Sequence, residues 1–165
     1  MTFDSCPLCG ARAVDQPGPD RRRFHRCLDC RLIFVDRRDL LSSADEKAFY
    51  ATHDNALEDP RYVRFLERLA VPAAGYLSPG SKGLDYGCGP APVLSQLMRR
   101  RGFDCHDYDP LFRDRMPSTR YDFVLSSETF EHFRRPLEDL HRIRELLLPG
   151  GILGVMTSLW ANPEN

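Results

Sequence analysis

The chain has 165 residues, 42% of them hydrophobic and 28% charged, with a formal net charge of −1. That length and apolar fraction support one packed domain with at most a small module attached, and exclude wholesale disorder. The near-neutral balance argues against a protein that coats nucleic acid. A membrane helix needs roughly 20 apolar residues; the longest apolar stretch, 146–156, is shorter and contains Pro149, Gly150 and Gly151. The opening MTFDSCPLCG lacks a basic start followed by an apolar run, so a cytoplasmic, reducing compartment is expected. Cysteines there read as ligands or core residues rather than disulfides.

Four cysteines open the chain as two Cys-x-x-Cys pairs, Cys6 with Cys9 and Cys27 with Cys30. Each such turn presents two thiolates to one metal, and two turns complete a tetrahedral shell. The spacing resembles that of zinc ribbons and predicts one structural Zn2+, since four protein ligands leave no open position for water. Between the pairs, AVDQPGPDRRRFHR reads as a turn or hairpin punctuated by Pro17, Gly18 and Pro19, and RLIFVD as a short strand. Residues 1–38 hold eight arginines against five aspartates. A zinc with four thiolates removes most of that excess, so Arg21-Arg22-Arg23 reads as a solvated loop and His25 as a polar surface residue.

A zinc ribbon over 1–40 is therefore followed by a second domain over 41–165. Its first part, 41–78, reads as a helical cover. Ser42 or Ser43 caps one helix through Phe49, and Asp59-Pro60 opens another, with Tyr62, Phe65, Leu66 and Leu69 on one stripe. From 79 to 165 strand and helix alternate. SKGLDYGCG is a strand running into a glycine turn; Pro92 starts a helix whose inner face is Val93, Leu94, Leu97 and Met98, and Gly102 ends it. FDCHDYDP and YDFVLSS are strands. Pro136 to Leu148 is a helix with Leu137, Leu140, Ile143 and Leu147 inward, and GGILGVMTSL a buried strand. The alternation predicts an α/β fold with a parallel, Rossmann-like sheet.

The glycine turn narrows the ligand. A dinucleotide fingerprint needs a third glycine at position 92, where this chain has Pro92, and Asp85 would repel a pyrophosphate. A carboxylate two residues before the first glycine suits a cofactor with positive groups. Here the sequence resembles the class I S-adenosylmethionine-dependent methyltransferases, through Asp85, Gly87 and Gly89, with Ala91 in place of the family's last glycine. Asp109 in HDYDP, YDFVLSSETFEH and LLLPGGILGVMTSL follow in the family's order, so the resemblance spans residues 45–160. It implies S-adenosyl-L-methionine as cofactor, with Asp109, rather than Asp107, on the ribose. It also implies Cys88 and Pro110 in the turns, and Ser126, Ser127 and Glu128 along the cofactor and substrate mouth. Cys88 reads as a small filler and Cys105 as a core residue.

Glu128, Glu131 and His132 are the titratable groups nearest the expected mouth. Imidazole is the side chain that changes charge near neutrality, which makes His132 the candidate base, with Glu128 beside it. Tyr50 or His53 is expected near the methionine end. Two departures stand out. Only 11 residues separate Asp109 from Tyr121, too few for the family's usual helix, strand and helix, and the sequence ends at Asn165, soon after the fifth strand. The edge from Gly151 to Leu159, apolar on both faces, is expected to pair with a second copy or a partner. The implied activity is methyl transfer to a small-molecule acceptor, with ribosomal RNA as the next acceptor class. The rival expectation is a non-catalytic cofactor-binding or scaffold module.

Overall fold

In the computed structural model, which describes residues 5–52 and 56–160, the chain forms two sheets. The first is antiparallel, in the order β1 (Ala13–Gln16), β2 (Phe24–Cys27), β3 (Ile33–Val35), with Ala13 opposite Cys27 and Phe24 opposite Val35. The expected hairpin is thus β1–β2, and it passes through Gly18 because a Cβ there would lie 2.1 Å from the Phe24 ring. His25 departs from the surface reading. It is buried, its Nε2 3.1 Å from the buried Asp36 carboxylate and its ring 5.5 Å from that of Phe34. Arg38 completes this network on Asp36 at 2.6 Å. In the arginine run, Arg22 pairs with Asp20 and Arg23 with Asp39.

Two helices lead to the second sheet. Ser42 caps α1 (Ser43–Ala51) by accepting from the Asp45 amide, and Asp59 caps α2 (Pro60–Ala74), whose first residue is the proline. The strands β4 (Lys82–Tyr86), β5 (Asp104–Tyr108), β6 (Tyr121–Ser127) and β7 (Leu147–Met156) are all parallel, in the order β5-β4-β6-β7. α3 (Val93–Arg100) follows β4 and α4 (Pro136–Leu146) follows β6.

The faces of this sheet are filled by two apolar clusters. Leu66, Leu69, Ala70 and Ala73 of α2 and Val93, Leu94, Leu97 and Met98 of α3 meet Phe123 and Leu125 on one face. On the other, Ile143 and Leu146 of α4 meet Leu84, Tyr86 and Val124. The two clusters match the side-chain alternation of a strand covered on both sides. Gly83 is required here, because a Cβ would sit 2.0 Å from the Phe123 ring that lies across it.

The C-terminal reading needs two corrections. α4 ends at Leu146 and the strand begins at Leu147; Leu148 precedes Pro149, whose ring disfavours helical backbone in the residue before it. The strand is also not buried. Ile152 and Met156 pack against the α2 cluster, while Leu148, Leu153 and Val155 are exposed, as is Leu137 of α4. β7 is an edge strand, and the buried residues of α4, Ile143 and Leu146, pack in a cluster centred on Leu84, Tyr86 and Val124 of β4 and β6. No helix among the described residues is long and apolar enough to cross a membrane.

Candidate functional site

Leaving β4, the chain turns through Gly87 and Gly89, with φ of 82° and 65°. These left-handed angles favour glycine, and at Gly87 a Cβ would also lie 2.2 Å from Thr129 Cγ2. The amides of Gly87 and Cys88 donate to the Tyr108 carbonyl at 2.8 and 3.1 Å, tying this turn to the end of β5. Asp109 follows, largely buried, and its two carboxylate oxygens accept from the amides of Gly89 at 2.9 Å, Leu111 at 2.8 Å and Phe112 at 3.2 Å. One carboxylate thus sets both turns. Nothing lies within 4 Å of where a Gly89 Cβ would stand, so a ligand can approach that backbone closely.

Above the turns is a cavity of about 670 Å³ at the carboxyl ends of β4, β5 and β6, a volume suited to a small molecule. It lies where the sheet order reverses, with β5 to one side of β4 and β6 to the other, the position at which open α/β sheets bind ligands. Gly87, Cys88, Gly89, Asp109, Pro110, Ser127, Glu128 and His132 all line it. Asp107 does not; it pairs with Arg99 at 2.9 Å on the wall of a second, shallower cavity.

Asp85 and Ser126 lie beneath the wall rather than on it. The Asp85 carboxyl is buried and accepts from the Ser95 amide at the start of α3, and burial pushes its pKa up to about 7. The Ser126 hydroxyl donates to the Tyr86 carbonyl at 2.8 Å. Burial also drives the Cys88 and Cys105 thiols well above their usual value, which leaves them protonated, as filler and core residues should be.

The mouth is built from three segments. Glu128, at φ 48°, accepts from the Ser158 hydroxyl at 3.2 Å, and Glu131 from the Thr157 hydroxyl at 2.9 Å. His132 ends a single 3-10 turn, Phe130–His132, with its Nε2 2.6 Å from the Tyr50 hydroxyl. Glu46 stands 3.7 Å from His132 Nδ1 and 2.8 Å from Arg134. Burial, followed by the Glu46 and Glu131 carboxylates, pushes the Tyr50 phenol up to about 12. Of the two N-terminal candidates, Tyr50 reaches the mouth, and His53 lies outside the described residues. Glu46 carried no recognisable sequence signal beyond lying one turn before Tyr50 on a helix with little apolar face.

The four ribbon cysteines converge, with every pair of sulfurs within 4.8 Å. Cys6 and Cys30 sulfurs are 3.6 Å apart and those of Cys9 and Cys27 3.5 Å. Thiolates about 2.3 Å from a tetrahedral ion stand roughly 3.8 Å from one another, so the donor set fits zinc. Amides of Leu8 and Asp29 point at Cys6 and Cys27 sulfur, each at 3.4 Å, as metal-binding knuckles require. Gly10 and Arg31, each just after the second cysteine of its pair, both have positive φ, 76° and 63°. The knuckles are near copies of one another.

A Rossmann-like parallel sheet with a glycine turn, an acid after the second strand and a cavity at the switch point defines a class I methyltransferase-like fold. A family model described as "Methyltransferase domain" matches residues 53–163, well over half of the chain. The chain belongs to that family. Among solved structures, one match is coclaurine N-methyltransferase bound to N-methylheliamine and SAH, at 21% sequence identity and a TM-score of 0.43. The alignment covers 64% of this chain and 38% of that one, so this chain spans well under half of that protein's length. No curated protein matches the chain.

Proposed function

We propose that this chain is an S-adenosylmethionine-dependent methyltransferase of small-molecule acceptors, with a structural zinc held by Cys6, Cys9, Cys27 and Cys30. The proposed units are the ribbon, 1–40, and a methyltransferase domain, 41–165, made of a cover and a core. The observation that carries the reading is Asp109, whose carboxylate orders both turns while lining the cavity beside the open Gly89 backbone. The fit is chemical as well as spatial. Gly87 and Gly89 admit the cofactor close to the backbone, Asp109 accepts from ribose hydroxyls, and Cys88, Pro110 and Ser127 form the surrounding wall. Asp85 supports the turn from below by holding the start of α3.

When bound, S-adenosylmethionine supplies an electrophilic methyl group on a sulfonium whose departure leaves a neutral thioether. The protein's own work is then to align the acceptor and to take its proton where it has one. His132 is the candidate for that proton, with Glu128 across the mouth. The small-molecule acceptor is supported by a concave cavity of small-molecule size rather than a basic surface, and by a net charge of −1.

Calorimetric titration with S-adenosylhomocysteine tests the assignment. Removing the Asp109 carboxylate forfeits charge-assisted hydrogen bonds of about 1.5–3 kcal/mol, so Asp109→Ala should weaken binding roughly 10- to 100-fold. Undiminished affinity in that variant would sink the ribose assignment. A scaffold module would bind the cofactor yet yield no methylated product from a metabolite panel.

A further inference from the structure

Two carboxylates of the mouth owe their placement to a segment that follows the last strand. β7 ends at Met156, whose carbonyl accepts from the Glu128 amide at 2.8 Å. The next two residues each donate a hydroxyl to a cavity-lining carboxylate, Thr157 to Glu131 at 2.9 Å and Ser158 to Glu128 at 3.2 Å. Among the described residues, Thr157 is the one hydrogen-bond partner of the Glu131 carboxylate. An exposed glutamate otherwise samples several rotamers, so the hydroxyl decides where this one points.

Trp160 fixes the far end of the same segment. Its ring meets that of Phe24 in β2 edge to face, with the centroids 5.2 Å apart. Leu159 beside it is 90% exposed, so the tryptophan is the residue that docks. The seat is built for a ring. Phe24 is buried, lies against Gly18, and carries the Arg22 guanidinium 5.4 Å from its centre. Arg22 is held in turn by both carboxylate oxygens of Asp20.

We propose that Thr157 and Ser158 are positioning residues for Glu131 and Glu128, and that the N-terminal sheet holds them in place through Trp160 on Phe24. Residues 157–160 then form a strap tied at one end to β7 and at the other to β2. Energetic coupling between separated sites travels through contiguous packed and hydrogen-bonded groups. Here the chain of contacts runs from Phe24 to Trp160, along the strap to two hydroxyls, and across to two carboxylates. No residue of β1, β2 or β3 lines the cavity, yet the sheet they form acts on its mouth. An aromatic pair is worth too little to merge the melting of the two sheets, so the effect falls on order at the mouth rather than on overall stability. That these carboxylates meet an acceptor rests on the methyltransferase reading; the strap itself does not.

Three measurements on the full, ligand-free chain test this. Backbone 15N relaxation reads the strap. Order parameters of Thr157 and Ser158 should be near 0.85 in the wild type and fall below about 0.6 in Trp160→Ala. Trp160→Phe, which keeps a ring on Phe24, should restore them. Unchanged order at these two residues in Trp160→Ala would overturn the docking. Side-chain signals of 13C-labelled glutamate read the mouth. Thr157→Val should convert Glu131 from one rotamer to an average of several, with Thr157→Ser restoring it. Trp160→Ala should do the same to Glu131 and Glu128 although both hydroxyls are present. Single rotamers retained in Trp160→Ala would overturn the positioning role, because a ring that merely stabilised the N-terminal sheet would leave these carboxylates unmoved. Trp160 is the chain's single tryptophan, so its emission reads the seat directly. It should shift to the red in Phe24→Ala, and an unshifted spectrum would show that the N-terminal sheet is not the anchor. If wild type fails to bind S-adenosylhomocysteine, the methyltransferase reading falls alone, since none of these signals needs the cofactor.

Discussion

The N-terminal three-stranded sheet, proposed above to be a zinc ribbon, and the region around the parallel sheet, the proposed second domain, are held together by different forces. Among the described residues, the ribbon buries Cys6, Ala13, Phe24 and Cys27, plus the polar His25 and Asp36. Two of its four apolar contributors are proposed metal ligands. The sheet domain fills both faces with aliphatic and aromatic side chains, twelve residues in one cluster and seven in the other. Small modules with so little apolar surface need a metal or a polar network to fold, while larger ones do not. Neighbouring segments of one sequence can thus answer to different perturbants.

Metal removal should show the largest difference. Structural zinc sites contribute about 10–16 kcal/mol of apparent binding energy near neutral pH. Chelation, or Cys9→Ser, should therefore abolish the ribbon's calorimetric transition and zinc content while the sheet domain melts near its usual temperature. A single shared transition that moves as one would break the comparison. The converse is Met98→Ala, fully buried between α2 and α3. A truncation of this kind costs about 2–5 kcal/mol, and the ribbon should retain its metal.

Two of the buried acids sharpen the contrast with opposite signs. Burial holds Asp85 up at about 7, so the folded protein binds a proton that the unfolded chain has released. Its stability should fall as pH rises from about 4 to about 7, by a few kcal/mol at roughly 1.4 kcal/mol per unit. Asp85→Asn should flatten that slope. Asp36 behaves the other way. Hydrogen bonds from Arg38, and then from His25, hold its carboxyl well below the usual carboxylate range. Its contribution is present above the unfolded value near 4 and is lost as pH falls below it. Asp36→Asn should remove about 1.5–3 kcal/mol of charged hydrogen bonding at neutral pH, read as loss of ribbon stability.

What the sequence disclosed was local. The cysteine pairs, the β4–Gly87–Gly89 turn and the stripe of α3 each depend on residues close in the chain, and the structure places all three as their spacing implies. Pro149 is equally local, and its ring bars the helix from Leu148, although α4 ends two residues earlier, at Leu146. The remainder depends on distant partners. His25 is buried because Asp36, itself the cap of a 3-10 turn, comes to lie beside it. Asp85 leaves the cavity wall because the strand's alternation turns its carboxyl toward α3. Glu46 meets His132 across a separation of 86 positions, which no pattern within α1 could announce.

Under the proposed function, Glu128 is a position where folding and activity pull in opposite directions. A left-handed backbone costs a residue with a Cβ roughly 1–2 kcal/mol, and Glu128 adopts it at the cavity wall with φ 48°. Its amide donates to the Met156 carbonyl, and its carboxylate holds Ser158, so the surrounding structure keeps it there. Glu128→Gly should accordingly raise the melting temperature by a few degrees, about 1 kcal/mol in a protein of this size, while stripping a carboxylate from the mouth. Selection for thermal robustness alone would discard this glutamate, whereas the role proposed for it at the mouth would retain it.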